Sequence, residues 1–233
     1  MVFKAKMVFN EWLDILLYKK KPKDIAKTTL SEGLKHIAIA SAITGFLVGL
    51  STWISMPLMQ GLSETGVSPA FNAMLGPSML IMYTVLSPIV AVISSLIVGG
   101  LLHLFSLLLG GKGKFENYVG VLAKIDASLQ GTLGVLIAVM LIIAAFLGLG
   151  AYLAAIPIVL LIALILAIWS LVLTVLATQA VQKLSLGKSM VAVIVIPLAI
   201  GFVITVLLVA LLLIVFVAVG TSGSQAGLAS LAL

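Results

Sequence analysis

The chain has no cysteine and no arginine, and only 9% of its 233 residues are charged. Without cysteine there is no disulfide, no thiolate nucleophile and no cysteine-based metal site. A soluble domain carries about 25% charged residues, so a water-dissolved globule is excluded. Two histidines, His36 and His103, cannot build a His-Glu-x-x-His metal centre. No Gly-x-x-x-x-Gly-Lys-Ser/Thr phosphate loop is present. Gly220-Thr-Ser-Gly223 looks like the Gly-x-Ser-Gly of an intramembrane serine protease, but that serine needs a partner histidine on a later span. Both histidines precede Ser222. The residues therefore point to no enzyme and require no cofactor or metal.

Apolar residues fill this space, at 63% of the chain with a mean hydropathy of +1.35. They gather into five runs, at about 36–53, 79–109, 119–149, 157–181 and 190–219. About 20 apolar residues cross the hydrocarbon of a bilayer. The expected fold is all-α: a polytopic membrane protein with five transmembrane helices. Residues 1–35 form an arm, 36–219 the membrane domain, and 220–233 a Gly/Ser/Ala tail of the composition that stays disordered. The arm contains no signal-peptide core, so the first run is expected to act as its own insertion signal. Pro57, Pro69 and Pro77 mark a loop over 56–77, and Gly148, Gly150 and Pro157 a tight hairpin.

All 13 basic residues are lysine, and their placement sets the orientation. Eight precede the first run, Lys112, Lys114 and Lys124 follow the second, and Lys183 and Lys188 separate the last two. With the N-terminus in the cytoplasm and the C-terminus outside, every lysine stays inside, as the positive-inside rule demands. Lysines beside apolar runs face anionic headgroups, at roughly 1 kcal/mol each near the surface. They form no patch on a soluble module, so nucleic acid is not a partner. Phe9, Trp12, Leu13, Leu16 and Leu17 recur at helical spacing in the arm. That pattern predicts an amphipathic helix on the membrane interface, with Trp12 and Tyr18 at headgroup level.

Within the runs, small residues at four-residue spacing mark close helix approach, because lipid supplies no hydrophobic drive between helices. Ser41, Gly45 and Gly49 make one stripe, and Ala91, Ser95 and Gly99 another that leads to His103. Packing inside one bundle is the ordinary reading of such stripes. Binding a second copy or another protein is the sharper one, with Ser41/Gly45/Gly49 the first candidate. Polar residues cluster towards the lysine end: His103, Asp126, Gln130, Ser170, Thr174, Thr178 and Gln182. Ionisable groups at such depth are functional candidates, although a neutral histidine hydrogen-bonded across helices is the commoner case. Lys124 and Asp126 read as interface residues whose heads reach towards water.

Four segments carry a family likeness. Leu102-His-Leu-Phe-Ser-Leu-Leu-Leu-Gly-Gly-Lys-Gly-Lys-Phe-Glu-Asn-Tyr118 resembles the turn after the second span in the Yip family of Ypt/Rab-interacting membrane proteins. Ile168-Trp-Ser-Leu-Val-Leu173, Leu184-Ser-Leu-Gly-Lys-Ser-Met190 and Lys21-Pro-Lys-Asp-Ile25 resemble that family's fourth span, its next inner turn and its entry to the first span. The segment Ala123-Lys-Ile-Asp-Ala-Ser128 lacks the proline common there, and the arm is shorter than in eukaryotic trafficking members. The chain thus resembles the compact prokaryotic branch, and Rab binding is not implied. The resemblance implies a non-enzymatic scaffold or adaptor that meets a membrane or cytoplasmic protein, or another copy of itself. Its inner face would offer Gly110, Gly111, Lys112, Gly113, Lys114, Phe115, Lys183 and Lys188. The alternative is a subunit of a transporter or channel, with a path lined by His103, Gln130, Ser170, Thr174 and Thr178.

Overall fold

The computed structural model describes residues 2–60 and 69–229, with side chains from 8–58 and 75–214. Every regular element among them is helical. They are α1 (Val2–Leu16), α2 (Leu30–Gln60), α3 (Pro69–Leu108), α4 (Phe115–Leu129), α5 (Val135–Phe146), α6 (Leu149–Gln182), α7 (Leu186–Met190) and α8 (Ile196–Ala229). Single π-helical turns, Gln130–Gly134 and Val191–Val195, join α4 to α5 and α7 to α8. Five stretches are long and apolar enough to cross a membrane: Leu30–Leu58, Leu75–Leu108, Phe115–Phe146, Leu149–Gln182 and Leu186–Ile214.

Several boundaries differ from the sequence reading. α2 runs through Pro57 to Gln60 and α3 starts at Pro69, so the loop expected over 56–77 shrinks, and its centre, 61–68, lies outside the described residues. Pro157 lies inside α6, because the reversal is completed earlier by Gly148 at φ 99°. Only glycine takes that backbone at no steric cost. The backbone is helical to Ala229, where a disordered tail was expected from residue 220.

The chain divides into two compact units, Met1–Val193 and Ile194–Leu233. The second is the greater part of α8, which the sequence makes apolar around its whole circumference from Ile196 to Ile214. The first holds the other helices, and α4 is its axis. Ten residues of α4 are buried, among them Tyr118, Val119, Val121, Ile125 and Ser128. A helix buried on all sides needs neighbours whose backbones come close, and glycine supplies them. A methyl on Gly33 of α2 would overlap the backbone of Gly120 in α4, and one on Gly49 would lie 2.9 Å from Leu80 Cα of α3. A methyl on Gly45 would meet Ser87 and Tyr83 of α3, and one on Gly76 the Trp53 ring of α2. Gly45 and Gly49 are thus spent on the α2–α3 contact within one chain.

The arm is folded into this unit. Trp12 is 2% exposed and packs with Ile37, Ala40, Ala123 and Ala127. Its ring also fills the space a side chain on Gly131 would take. Ile15 and Ile25 join a second cluster with Leu102, Tyr118, Ile125, Leu173 and Ala177. Trp12 faces protein and not an open surface: its indole N–H donates to His36 Nδ1 at 3.0 Å. A buried ring with a satisfied N–H gains the full area of burial without stranding a donor. Tyr18 is half-buried and meets Trp169 edge-on, with centroids 6.2 Å apart.

Candidate functional site

The segment after α3 is shaped by its glycines. Gly110 adopts φ 91°, and the amides of Gly111 and Gly110 donate to the carbonyls of Ser106 (2.8 Å) and Leu107 (2.9 Å). This is the glycine-closed C-terminus that satisfies a helix's last carbonyls. The chain then turns through Lys112–Lys114 and enters α4 at Phe115.

Gln182, the last residue of α6, clasps this turn. Its side-chain Oε1 accepts the Gly113 amide at 3.0 Å, and its backbone carbonyl accepts the Lys112 amide at 3.0 Å. Its Nε2 lies 2.7 Å from His103 Nδ1. An amide whose oxygen accepts from Gly113 has its NH2 left to donate, so Nδ1 is the acceptor and the imidazole proton sits on Nε2. The His103 ring packs against Phe115 and Tyr118, with centroids 5.6 and 5.8 Å away. Tyr118 and Thr178 share a buried 2.7 Å hydrogen bond, and Thr178 donates back to the Thr174 carbonyl at 2.8 Å. Lys188 Nζ donates to the Leu109 carbonyl at 3.0 Å, tying the segment after α6 to the turn after α3. Lys183 closes α6 in the left-handed conformation, φ 56°. Gly111 and Gly113 have no room for a side chain: a methyl on either would lie within about 3 Å of Gln182 Oε1. The inward side of the turn is therefore saturated, while Lys112 and Lys114 face outwards and Phe115, packed on His103 by one side of its ring, is 40% exposed on the other.

The seven polar residues read as one cluster fall into two groups. His103 and Gln182 meet at the clasp, and Thr178, bonded to the Thr174 carbonyl, joins it through Tyr118. Asp126, Gln130 and Ser170 line a separate groove of about 370 Å³, walled by Leu129, Leu133, Ile137, Ala163, Leu166 and Ala167. Gln130 is itself engaged, because Ser41 donates to its Oε1 at 2.8 Å and Thr44 to its carbonyl at 2.9 Å. Ser41 also accepts Ser87 through its carbonyl at 2.7 Å. In the other stripe, Ala91 packs on the Trp12 cluster, Ser95 is buried, and a methyl on Gly99 would sit 3.2 Å from Val119.

The sequence reading missed a charged knot at the base of the arm. Lys124 is 4% exposed, with Nζ 3.0 Å from Glu11 and 2.5 Å from Glu32. Glu11 also pairs with Lys20 at 2.9 Å, and His36 Nε2 lies 4.0 Å from it. Burial pushes the Glu11 carboxyl up, but hydrogen bonds and charge from Lys20 and Lys124 outweigh it and hold it below 4.5. Lys124 does not reach for water as expected; two carboxylates of the arm come to it. The available signal was Glu11 and Glu32, two of the four acids among the arm's eight lysines.

Five membrane-crossing helices, with a glycine-rich turn clasped at the lysine-bearing end, define an integral multi-pass membrane protein. The model of the Yip1 domain matches residues 21–208, most of the chain, and the protein belongs to the Yip family. No curated protein matches, and no solved structure does.

Proposed function

We propose that this protein is a non-enzymatic membrane adaptor, oriented with its lysine-bearing end in the cytoplasm, that presents the 110–118 turn to a protein partner. The observation that carries the reading is the one-sided saturation of the turn. Its inward amides, of Lys112 and Gly113, are bonded to Gln182, which His103 holds in turn, and this leaves Lys112, Lys114 and the open side of Phe115 as an outward face on a fixed backbone. A surface ordered before binding loses little entropy on association, and an exposed aromatic beside cationic groups is the composition of an interface anchor. The orientation follows from the lysines, all on one side in this arrangement. His103 serves the structure in this reading, as a neutral ring holding Gln182.

The test is a photoreactive residue at Phe115 in cells, with the same probe at Leu136, a membrane-facing position 56% exposed. A discrete protein adduct at 115 and none at 136 supports the adaptor. Equal patterns at both contradict it. A transporter or channel subunit is the second reading, favoured by the groove at Asp126 and Ser170. That reading predicts solute flux in proteoliposomes that is lost in Ser170→Leu.

A further inference from the structure

A second groove, of about 390 Å³, lies between the arm and the end of α6 that enters the lysine-bearing turn. It is lined by Tyr18, Lys21, Pro22, Lys23, Leu176, Gln179 and Ala180. Its polar lining joins two cationic residues, Lys21 and Lys23, to a phenol and a carboxamide that can each donate as well as accept. No carboxylate lines it. Asp24, the nearest acid in sequence, accepts the Lys21 backbone amide at 2.9 Å instead. Among the described residues, the side chains of Tyr18, Lys21, Lys23 and Gln179 make no hydrogen bond or ion pair with protein.

The local backbone is built to keep these groups there. Tyr18 takes φ 59°, a left-handed conformation unusual for a residue with a side chain. Trp169 holds the end of α1 beside it, donating from its indole to the Leu16 carbonyl at 3.0 Å, and Tyr18 packs edge-on against the same ring. Two unpaired lysines, with a phenol and a carboxamide beside them that can donate, suit an anion. The groove's apolar wall identifies what kind. Leu176 continues along α6, four residues at a time, into Val172 (40% exposed) and Ile168 (57% exposed). An exposed apolar stripe leading away from a cationic opening matches an amphiphile with a negative head.

We propose that this groove binds the headgroup of one anionic phospholipid, with its acyl chain along Val172 and Ile168. The site is independent of the adaptor reading, because it stands on a different face of α6 from the Gln182 clasp and needs no protein partner. It gives the arm a reason to carry lysines beyond topology: Lys21 and Lys23 place a lipid against the seam where the arm meets the bundle.

The experiment is native mass spectrometry of the full chain in detergent, with phosphatidylglycerol and phosphatidylcholine supplied together. The wild-type protein should retain one phosphatidylglycerol in preference to phosphatidylcholine. Lys21→Gln/Lys23→Gln should weaken that retention about 30-fold, since each lysine near an anionic surface is worth roughly 1 kcal/mol and 1.4 kcal/mol is tenfold. The control Lys19→Gln/Lys27→Gln removes two exposed lysines of the same arm and should leave retention intact. Equal loss in both pairs means general surface charge and overturns the site, as does a wild-type protein without preference. Inorganic phosphate at millimolar concentration should not displace the lipid. Displacement would make this a free-anion site and contradict the proposal.

Discussion

Lys124 shows how much a single side chain can organise in a membrane protein. A charge buried inside a span is costly unless paired, and here Glu11 and Glu32 supply the pairing. Breaking such a knot is worse than never having it. Lys124→Met should lower stability by about 2–3 kcal/mol, towards the low end for a buried pair because the Glu32 side chain is 46% exposed. Thermal unfolding in detergent measures this, and trypsin should cut the arm faster at Lys19 and Lys20 than in the wild type. The same knot predicts a pH dependence. Glu11 is held below 4.5 in the folded protein. A lowered carboxylate contributes stability above its unfolded value, and that contribution is lost as pH falls through the folded value. Unfolding temperature should therefore drop as pH is taken below 4.5, and Glu11→Gln should flatten that drop. Gln182 is the other organising residue. Gln182→Leu removes the acceptor of the Gly113 amide and the partner of His103 Nδ1. A buried group left unsatisfied costs about 1–3 kcal/mol. Hydrogen exchange should then quicken at Gly113 while Lys112, bonded to the backbone carbonyl of residue 182, changes less.

Among the elements, α4 depends most on glycine. Gly120→Ala would put a methyl 2.5 Å from the Thr29 carbonyl oxygen, where backbone cannot yield, so overpacking should cost about 1–3 kcal/mol. Gly150→Ala, with nothing within 4 Å, should be neutral or stabilising by up to about 1 kcal/mol through helix propensity. Comparing the two unfolding temperatures separates packing from propensity. The pattern of long apolar runs made these helices legible, because hydropathy alone reports a span. Their ends were less so: Pro57 and Pro157 read as loop signals, yet both lie inside helices. Proline is tolerated in membrane helices where neighbouring groups re-satisfy the freed backbone. The stripe Ser41/Gly45/Gly49 announced close contact but not its partner, since spacing is the same whether the facing helix is α3 or another chain. The Gly33–Gly120 contact was not legible at all, because Gly33 read as part of the arm and Gly120 belongs to neither small-residue stripe. The arm misled most. The periodicity of Trp12 and Leu16 marks one apolar face, and a lipid surface or a protein core satisfies that face equally. Only the buried contacts with Gly131 and His36 decide for the core.

At the scale of the whole molecule, the lysines imply one topology. The chain has no cysteine, so single cysteines report sidedness without background. Lys112→Cys should react with a membrane-impermeant thiol reagent only when the cytoplasmic face is open, and Ser222→Cys only from the opposite face. The reverse pattern would invert the assignment of the 110–118 turn as a cytoplasmic surface. Of the candidate site, the Gly110–Phe115 turn and the common depth of His103, Thr178 and Gln182 could be read from the sequence, since position along each span sets depth. The separation of Asp126, Gln130 and Ser170 could not, because depth is one coordinate and the face of each helix is another. The account rests on an inner turn that is held rigid from within in order to be met from without. Its most direct test is the mass of the intact assembly, extracted from native membranes in mild detergent, for the wild type and for Phe115→Ala. The account predicts a stoichiometric second protein that is lost in the variant while the bundle stays folded. A wild-type monomer or homo-oligomer with no second protein would contradict it.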